Sequence, residues 1–175
     1  QDDPFFVYFP MTATHRPLEP TPDSPEFADF DPPSNKTLGG RTWNELEGWP
    51  DDAKFYKDMV EYHDKVIGRL ISGLERLGLR EDTLIIYSSD HGDGNGAHGW
   101  NQKVVLYEEA VRVPFIVSWK GHTQAGITDD ALVSMNLDLL PTCCDFAGIK
   151  AEDGLRGRRV RDQIMDRSLS GQGHP

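Results

Sequence analysis

The sequence contains little cysteine, which limits what covalent cross-links can contribute to the fold. Only two of its 175 residues are cysteines, Cys143 and Cys144, and they are neighbours. Adjacent Cα atoms lie about 3.8 Å apart, closer than the usual range of about 4.4–6.8 Å for a disulfide. We therefore expect two small helix-packing residues and no mutual disulfide. The cysteine content leaves the cellular compartment open.

Positive charge is also scarce, and no long apolar run is present. The chain has 18 Lys and Arg against 29 Asp and Glu, a net charge of −11 and a pI near 4.9. Nucleic acids demand clustered Lys and Arg, so no nucleic-acid partner is expected, and an anionic membrane surface is disfavoured for the same reason. No apolar run approaches the ~20 residues needed to span a bilayer. Small anions stay open as ligands, because one local pocket can be positive or hold a metal ion.

The apolar pattern predicts an α/β fold. Short aromatic or branched runs between turn residues indicate buried strands, and apolar residues at three- and four-residue steps indicate helices. A strand, a long helix and a second strand form a crossover, which implies a mainly parallel sheet flanked by helices. The predicted elements are strands at 5–9, 84–88, 114–119 and 131–135, a helix from Asp51 or Asp52 to Gly78, and a helix at 139–147 with Pro141 in its first turn.

The length predicts one domain, which we place at residues 1–150. Within it, residues 17–50 carry seven of the twelve prolines and predict a long surface excursion. From 151 to 175 the pattern loses a clear core face, so we expect a separate C-terminal region to begin there.

The densest group of chemically active side chains lies at residues 88–103, which read SSDHGDGNGAHGWNQK. The stretch begins where the second predicted strand ends, and ligands of open α/β sheets bind beyond the carboxyl ends of strands. Its four glycines favour tight turns or a close approach of the main chain to a ligand.

Three interpretations of this stretch have weak support. Residues 94–99 match the dinucleotide pattern GxGxxG, but Asp90 and Asp93 would repel a pyrophosphate and no good helix start follows. A calcium loop of the EF-hand type fails, because Ala97 and His98 fall where a ligand and a glycine belong. Structural zinc held by His91 and His98 lacks thiolates and has no recognised spacing.

A fourth interpretation makes Asp90 and His91 ligands of a divalent cation and Lys103 an anion-binding group. The chain leaves its strand at this point, so a carboxylate oxygen and an imidazole nitrogen on consecutive turn residues can face one ion. A cation there would allow an acidic protein to bind an anionic oxygen. The glycines allow the loop to fold back, which brings Lys103 to the same pocket.

Several further motifs accompany this stretch over most of residues 4–160. The full set is SDHG at 89–92, HG at 98–99, Lys103, LYEEAVRVPFIV at 106–117, PFFVY at 4–8 with HRP at 15–17, Asp64 with VIGRL at 66–70, LDLLPT at 137–142 and AGI at 147–149. In this combination of motifs the sequence resembles the sulfatase family of the alkaline-phosphatase superfamily.

The resemblance implies an alkaline-phosphatase-like fold and a role for each matching residue. Asp90 and His91 would be metal ligands, usually for calcium, while His15 and Lys103 would hold the sulfate and assist departure of the ester oxygen. His98 would lie near the substrate. Glu108, Glu109 and Arg112 are expected to form a structural charge network.

The family's nucleophile is a formylglycine made from a Cys or Ser in a Cys/Ser-x-Pro/Ala-x-Arg motif, which this sequence does not contain. The resemblance therefore implies the later part of a catalytic domain whose remainder supplies that residue, with the isolated chain inactive. The expected substrate is a sulfated small molecule or polysaccharide, and the expected location is periplasmic, secreted or lysosomal. Phosphonate or phosphodiester hydrolysis and an inactive binding module are the alternatives.

Overall fold

A computed structural model describes residues 3–15, 18–30, 54–99, 103 and 105–166, in two compact units, Gln1–Gly73 and Leu74–Pro175. No described helix is long and apolar enough to cross a membrane. The helices are α1 (Lys54–Arg76), α2 (Glu108–Val111), α3 (Met135–Phe146) and α4 (Arg161–Met165); the strands are β1 (Ile85–Ser88) and β2 (Phe115–Ser118); and short 3-10 helices lie at Pro25–Asp29 and Ala97–Gly99.

The core of the first unit forms where the start of α1 meets the preceding segment. Leu18, Phe55 and Met59 are buried together. The contact has a polar border, because Ser24 donates its hydroxyl hydrogen to the Oδ2 atom of Asp58 over 2.7 Å. Part of the proline-rich segment therefore packs against α1.

The predicted end of α1 is confirmed at Gly78. This glycine has a φ of +68°, a left-handed conformation that costs glycine little, and its amide donates to the carbonyl of Glu75 over 3.0 Å. The Leu79 amide also turns back, to the carbonyl of Leu74 over 2.9 Å. The predicted start at Asp51 or Asp52 lies outside the described residues.

The strands predicted at 84–88 and 114–119 are confirmed as β1 and β2. They pair antiparallel, with Ile85 opposite Ser118 and Ser88 opposite Phe115. The sheet within the described residues therefore has two antiparallel strands, whereas a mainly parallel sheet was predicted. The parallel pairing was inferred from a crossover between residues 5–9 and β1, and this first strand is not formed.

The strands predicted at 5–9 and 131–135 are wrong for this structure. Residues 5–9 have no ladder, and Phe6 and Tyr8 are 81% and 79% exposed. A strand requires a neighbour for its backbone groups, and none pairs with this segment among the described residues. At the second site Ser134 initiates a helix instead, because its carbonyl accepts from the Asp138 amide over 2.7 Å.

The helix predicted at 139–147 exists, but α3 begins at Met135, so Pro141 lies in its interior. Proline has no amide hydrogen to donate to the carbonyl four residues earlier, which belongs to Leu137. Gly157 lies directly against that carbonyl, since an ideal Cβ on Gly157 would be 1.8 Å from the Leu137 oxygen. The missing side chain of Gly157 permits this backbone approach.

A buried carboxylate ties α3 to the segment before α4. Asp138 is 3% exposed and accepts hydrogen bonds from the Ser134 amide (2.9 Å), the Arg158 amide (2.7 Å) and the Arg158 guanidinium (3.2 Å). Burial raises the pKa of Asp138, but these donors outweigh it and hold the pKa below its ordinary value. The neighbouring Thr142 is fully buried and accepts from the Val160 amide over 3.1 Å. Residues beyond 150 therefore pack on α3.

Candidate active site

The candidate site begins where β1 ends. Ser88 donates its hydroxyl hydrogen to the carbonyl of Pro114 over 2.7 Å, which fixes the end of the strand beside its partner. Ser89 then donates to the carbonyl of His91 over 2.7 Å, and the His91 amide donates to Oδ1 of Asp90 over 2.9 Å. These local bonds form a tight turn, so that Asp90 and His91 no longer alternate as strand residues do.

Gly92 fixes this turn against α2. Its amide donates to the carbonyl of Ala110 over 2.8 Å, and an ideal Cβ on Gly92 would lie 1.9 Å from the carbonyl oxygen of Glu109. Real Cβ atoms do not approach a carbonyl oxygen so closely. The close approach of the main chain that the glycine-rich sequence suggested is therefore made here to the protein's own backbone.

The imidazole of His91 has a defined hydrogen-bond arrangement. Its Nδ1 atom lies 2.8 Å from the carbonyl oxygen of Gly92. A carbonyl oxygen only accepts, so Nδ1 carries the hydrogen and Nε2 of the neutral ring presents a lone pair. The Nζ atom of Lys103 lies 2.6 Å from this Nε2, and Oδ2 of Asp90 lies 3.3 Å from it. The structure thus brings Asp90, His91 and Lys103 together.

The Asp90 carboxylate is 77% exposed at the edge of this cluster. Its partial burial raises the pKa of Asp90, but hydrogen bonds to the carboxylate, chiefly from the His91 amide, outweigh that effect and lower the pKa overall. The group therefore favours its ionised form, the form that binds cations.

Asp90 and His91 fit as two ligands of a divalent cation. In metal sites, a ligating histidine usually donates its other ring hydrogen to a carboxylate or a backbone carbonyl, as Nδ1 of His91 does to Gly92. A carboxylate oxygen stands beside Nε2. Among the residues that the structure describes, no group of three or more His, Cys, Asp or Glu is arranged to hold a metal. The pair would supply part of a ligand set.

His98 lies on the same loop but contacts other partners. Its φ is +55°, its ring centroid lies 4.4 Å from that of Tyr107, and its Nε2 atom lies 3.4 Å from Oε1 of Glu109. Glu108, by contrast, pairs with Arg112 over 3.7 Å. The predicted charge network is confirmed for Glu108 and Arg112, whereas Glu109 contacts His98, a contact that no spacing in the sequence indicates.

His15 lies in the first unit, where its amide donates to the carbonyl of Thr12 over 3.0 Å and the intervening Thr14 has a φ of +77°. The turn fixes the backbone of His15. Its predicted role in holding sulfate, like the roles of Asp90, His91, His98 and Lys103, stays a prediction.

Comparison with known proteins identifies the family. The sulfatase family profile matches residues 1–149. The chain belongs to the sulfatase family, a conclusion that agrees with the resemblance found in its sequence motifs.

Individual relatives show the same relationship. An N-acetylglucosamine-6-O-sulfatase of Bacteroides thetaiotaomicron is 41% identical over 98 residues, covering 56% of this chain and 17% of the relative. An ulvan-active sulfatase of Formosa agariphila is 31% identical over 174 residues, covering 94% of this chain and 32% of the relative. The chain thus spans a third or less of the length of these two relatives.

A solved structure also shares the fold. It contains a protein in complex with its substrate, D-glucosamine-2-N,6-O-disulfate, and it matches this chain with a TM-score of 0.60 and 35% sequence identity. The match covers 66% of this chain and 24% of the other.

Proposed function

We propose that this chain forms part of an enzyme that hydrolyses sulfate esters of carbohydrates. The observation that carries the proposal is the cluster in which Lys103 and Asp90 both face Nε2 of His91. It combines an ammonium, which attracts sulfate oxygens, with two side chains that suit a divalent cation. Ester cleavage builds negative charge on oxygen, and fixed positive charge stabilises it.

Each residue has a proposed role. Lys103 binds the sulfate oxygens through its ammonium group and, with His15, assists departure of the ester oxygen. His98 contacts the substrate, with its ring supported by Tyr107. Asp90 and His91 bind a divalent cation, for which the family resemblance suggests calcium. When bound, such a cation supplies Lewis acidity toward the sulfate group.

The proposed substrate class is a sulfated carbohydrate. One relative is named as an N-acetylglucosamine-6-O-sulfatase, and the similar solved structure contains a disulfated glucosamine as its substrate. Another relative is named for activity on ulvan, a polysaccharide. The cellular location proposed from the family is periplasmic, secreted or lysosomal. The fold of the complete catalytic domain is proposed to be alkaline-phosphatase-like, with a mainly parallel sheet.

The proposed nucleophile is a formylglycine outside this chain, because the sequence has no Cys/Ser-x-Pro/Ala-x-Arg motif. We therefore expect no turnover and only weak metal affinity from the 175 residues alone. A form of the protein that carries a formylglycine together with this chain is the appropriate enzyme for an assay.

The test compares sulfate release from 6-O-sulfated glucosamine and an aryl sulfate with hydrolysis of an aryl phosphonate. We expect the sulfate esters to have the higher kcat/KM. A strong preference for the phosphonate would instead assign the chain to a phosphonate hydrolase. Absence of turnover on all three substrates, with formylglycine verified by mass spectrometry, would support an inactive binding module.

A further inference from the structure

The ammonium group of Lys103 contacts the Nε2 atom of His91. A cation bound at Asp90 and His91 would need the same atom as its ligand. Nδ1 is engaged by the Gly92 carbonyl, so Nε2 is the one ring nitrogen of His91 left to accept. Lys103 already approaches it at 2.6 Å, a short distance for a charge-assisted hydrogen bond.

The two uses of this nitrogen exclude one another. An imidazole nitrogen has a single lone pair in the ring plane, and a metal ion and an N–H donor approach it along the same direction. Like charges also repel, so an ammonium and a divalent cation within a few ångströms destabilise each other. Lys103 has room to move, since its side chain is exposed.

We propose that Lys103 and a divalent cation bind Nε2 of His91 in alternation, so that cation binding at Asp90 and His91 releases the Lys103 ammonium for an anionic sulfate. The inference rests on the proposed cation site and adds a coupling between two ligands. Lys103 acts as a built-in competitor for the cation and becomes the sulfate-binding group once displaced.

The coupling has a reciprocal consequence. If the cation releases Lys103 to bind sulfate, sulfate must in turn tighten cation binding by the same factor. Bound sulfate keeps the Lys103 ammonium away from His91, so Lys103 no longer competes with the cation for Nε2. The order of ligand binding is then immaterial at equilibrium, but both ligands bind together better than either binds alone.

The test measures Ca²⁺ affinity of the 175-residue chain by NMR, following the His91 ring and the Lys103 side chain. Lys103→Met removes the ammonium and retains most of the apolar stem. The Lys103→Met substitution is introduced into the wild-type chain and into a His91→Gln variant, which lacks the shared Nε2 atom. Arg112→Met is the matched control for loss of one positive charge at an exposed side chain that pairs with Glu108.

Competition predicts that Lys103→Met tightens Ca²⁺ binding by about fivefold or more in the wild-type background. In His91→Gln, and for Arg112→Met, the change stays below about twofold. If Lys103→Met tightened Ca²⁺ binding equally in the wild-type and His91→Gln backgrounds, charge repulsion without competition would explain the effect. That result would overturn the inference and leave the proposed cation site standing. Ca²⁺ binding in the wild-type chain that Asp90→Asn leaves unchanged would overturn the proposed cation site and the inference with it.

Discussion

Gly92 and Glu109 meet backbone to backbone: an ideal Cβ on Gly92 would lie 1.9 Å from the Glu109 carbonyl oxygen. The contact holds the turn that carries Asp90 and His91 against α2. Because Gly92 donates to Ala110 at the same point, the turn cannot move away without losing a hydrogen bond. The position of the candidate site therefore depends on residue 92 being a glycine, which has no Cβ atom to meet the Glu109 carbonyl.

Gly92→Ala is expected to destabilise the chain by about 2 kcal/mol or more, because the new methyl group meets backbone atoms that cannot rotate aside. Urea unfolding followed by circular dichroism measures the loss. The matched control is Gly68→Ala within α1, where an added Cβ meets nothing within 4 Å. This second change should be neutral or stabilising by up to about 1 kcal/mol. Equal effects of the two substitutions would show that the close contact is absent.

Glu109→Gln is expected to weaken the contact that fixes the tautomer of His98. The Glu109 carboxylate lies 3.4 Å from Nε2 of His98 and favours a hydrogen on that nitrogen. Long-range ¹H–¹⁵N NMR should show mainly the Nε2–H tautomer in the wild-type chain and a mixture in the variant. Glu108→Gln, which removes the partner of Arg112 instead, should leave the tautomer unchanged. Identical spectra for Glu109→Gln and the wild type would contradict the contact.

Asp138→Asn is expected to destabilise the chain by about 2 kcal/mol at pH 7, since hydrogen bonds to a buried carboxylate from Arg158 and Ser134 weaken. The matched control is Asp153→Asn, an 87% exposed partner of Lys150, which should cost less than about 0.5 kcal/mol.

The effect of Asp138→Asn should also depend on pH. The folded state lowers the pKa of Asp138 from an ordinary value of 3.8, so its contribution is complete above that value and disappears as the pH falls through the lower folded pKa. Urea unfolding at pH 7 and pH 3 should show a large gap between variant and wild type that narrows in acid. A gap of constant size would contradict the assigned ion pair.

The sequence predicts elements well where the signal is local. The end of α1 follows from Gly78, and β1 and β2 follow from short apolar runs, because turn residues and apolar runs act over a few positions. It fails where the outcome depends on partners. Residues 5–9 have strand-like composition but no pairing neighbour among the described residues, and the true start of α3 depends on the contacts of Asp138 with Ser134 and Arg158.

The candidate site shows the same division. The chemistry of Asp90, His91 and Lys103 is readable from residue types at the end of a strand, and the structure places the three together. The partner of His98 is not readable, because Glu109 reaches it only after the loop folds back onto α2. Likewise, the glycines suggested closeness to a ligand, whereas Gly92 is close to backbone.

The most direct measurement of the central claim is sulfate release by a formylglycine-bearing form of the protein with either Lys103 or Lys120 changed to alanine. Both lysines are exposed; Lys103 faces His91, and Lys120 pairs with Glu81 over 3.6 Å. The account predicts that Lys103→Ala lowers kcat/KM by about 100-fold or more while Lys120→Ala stays near wild type. Equal activity of the two variants would contradict it.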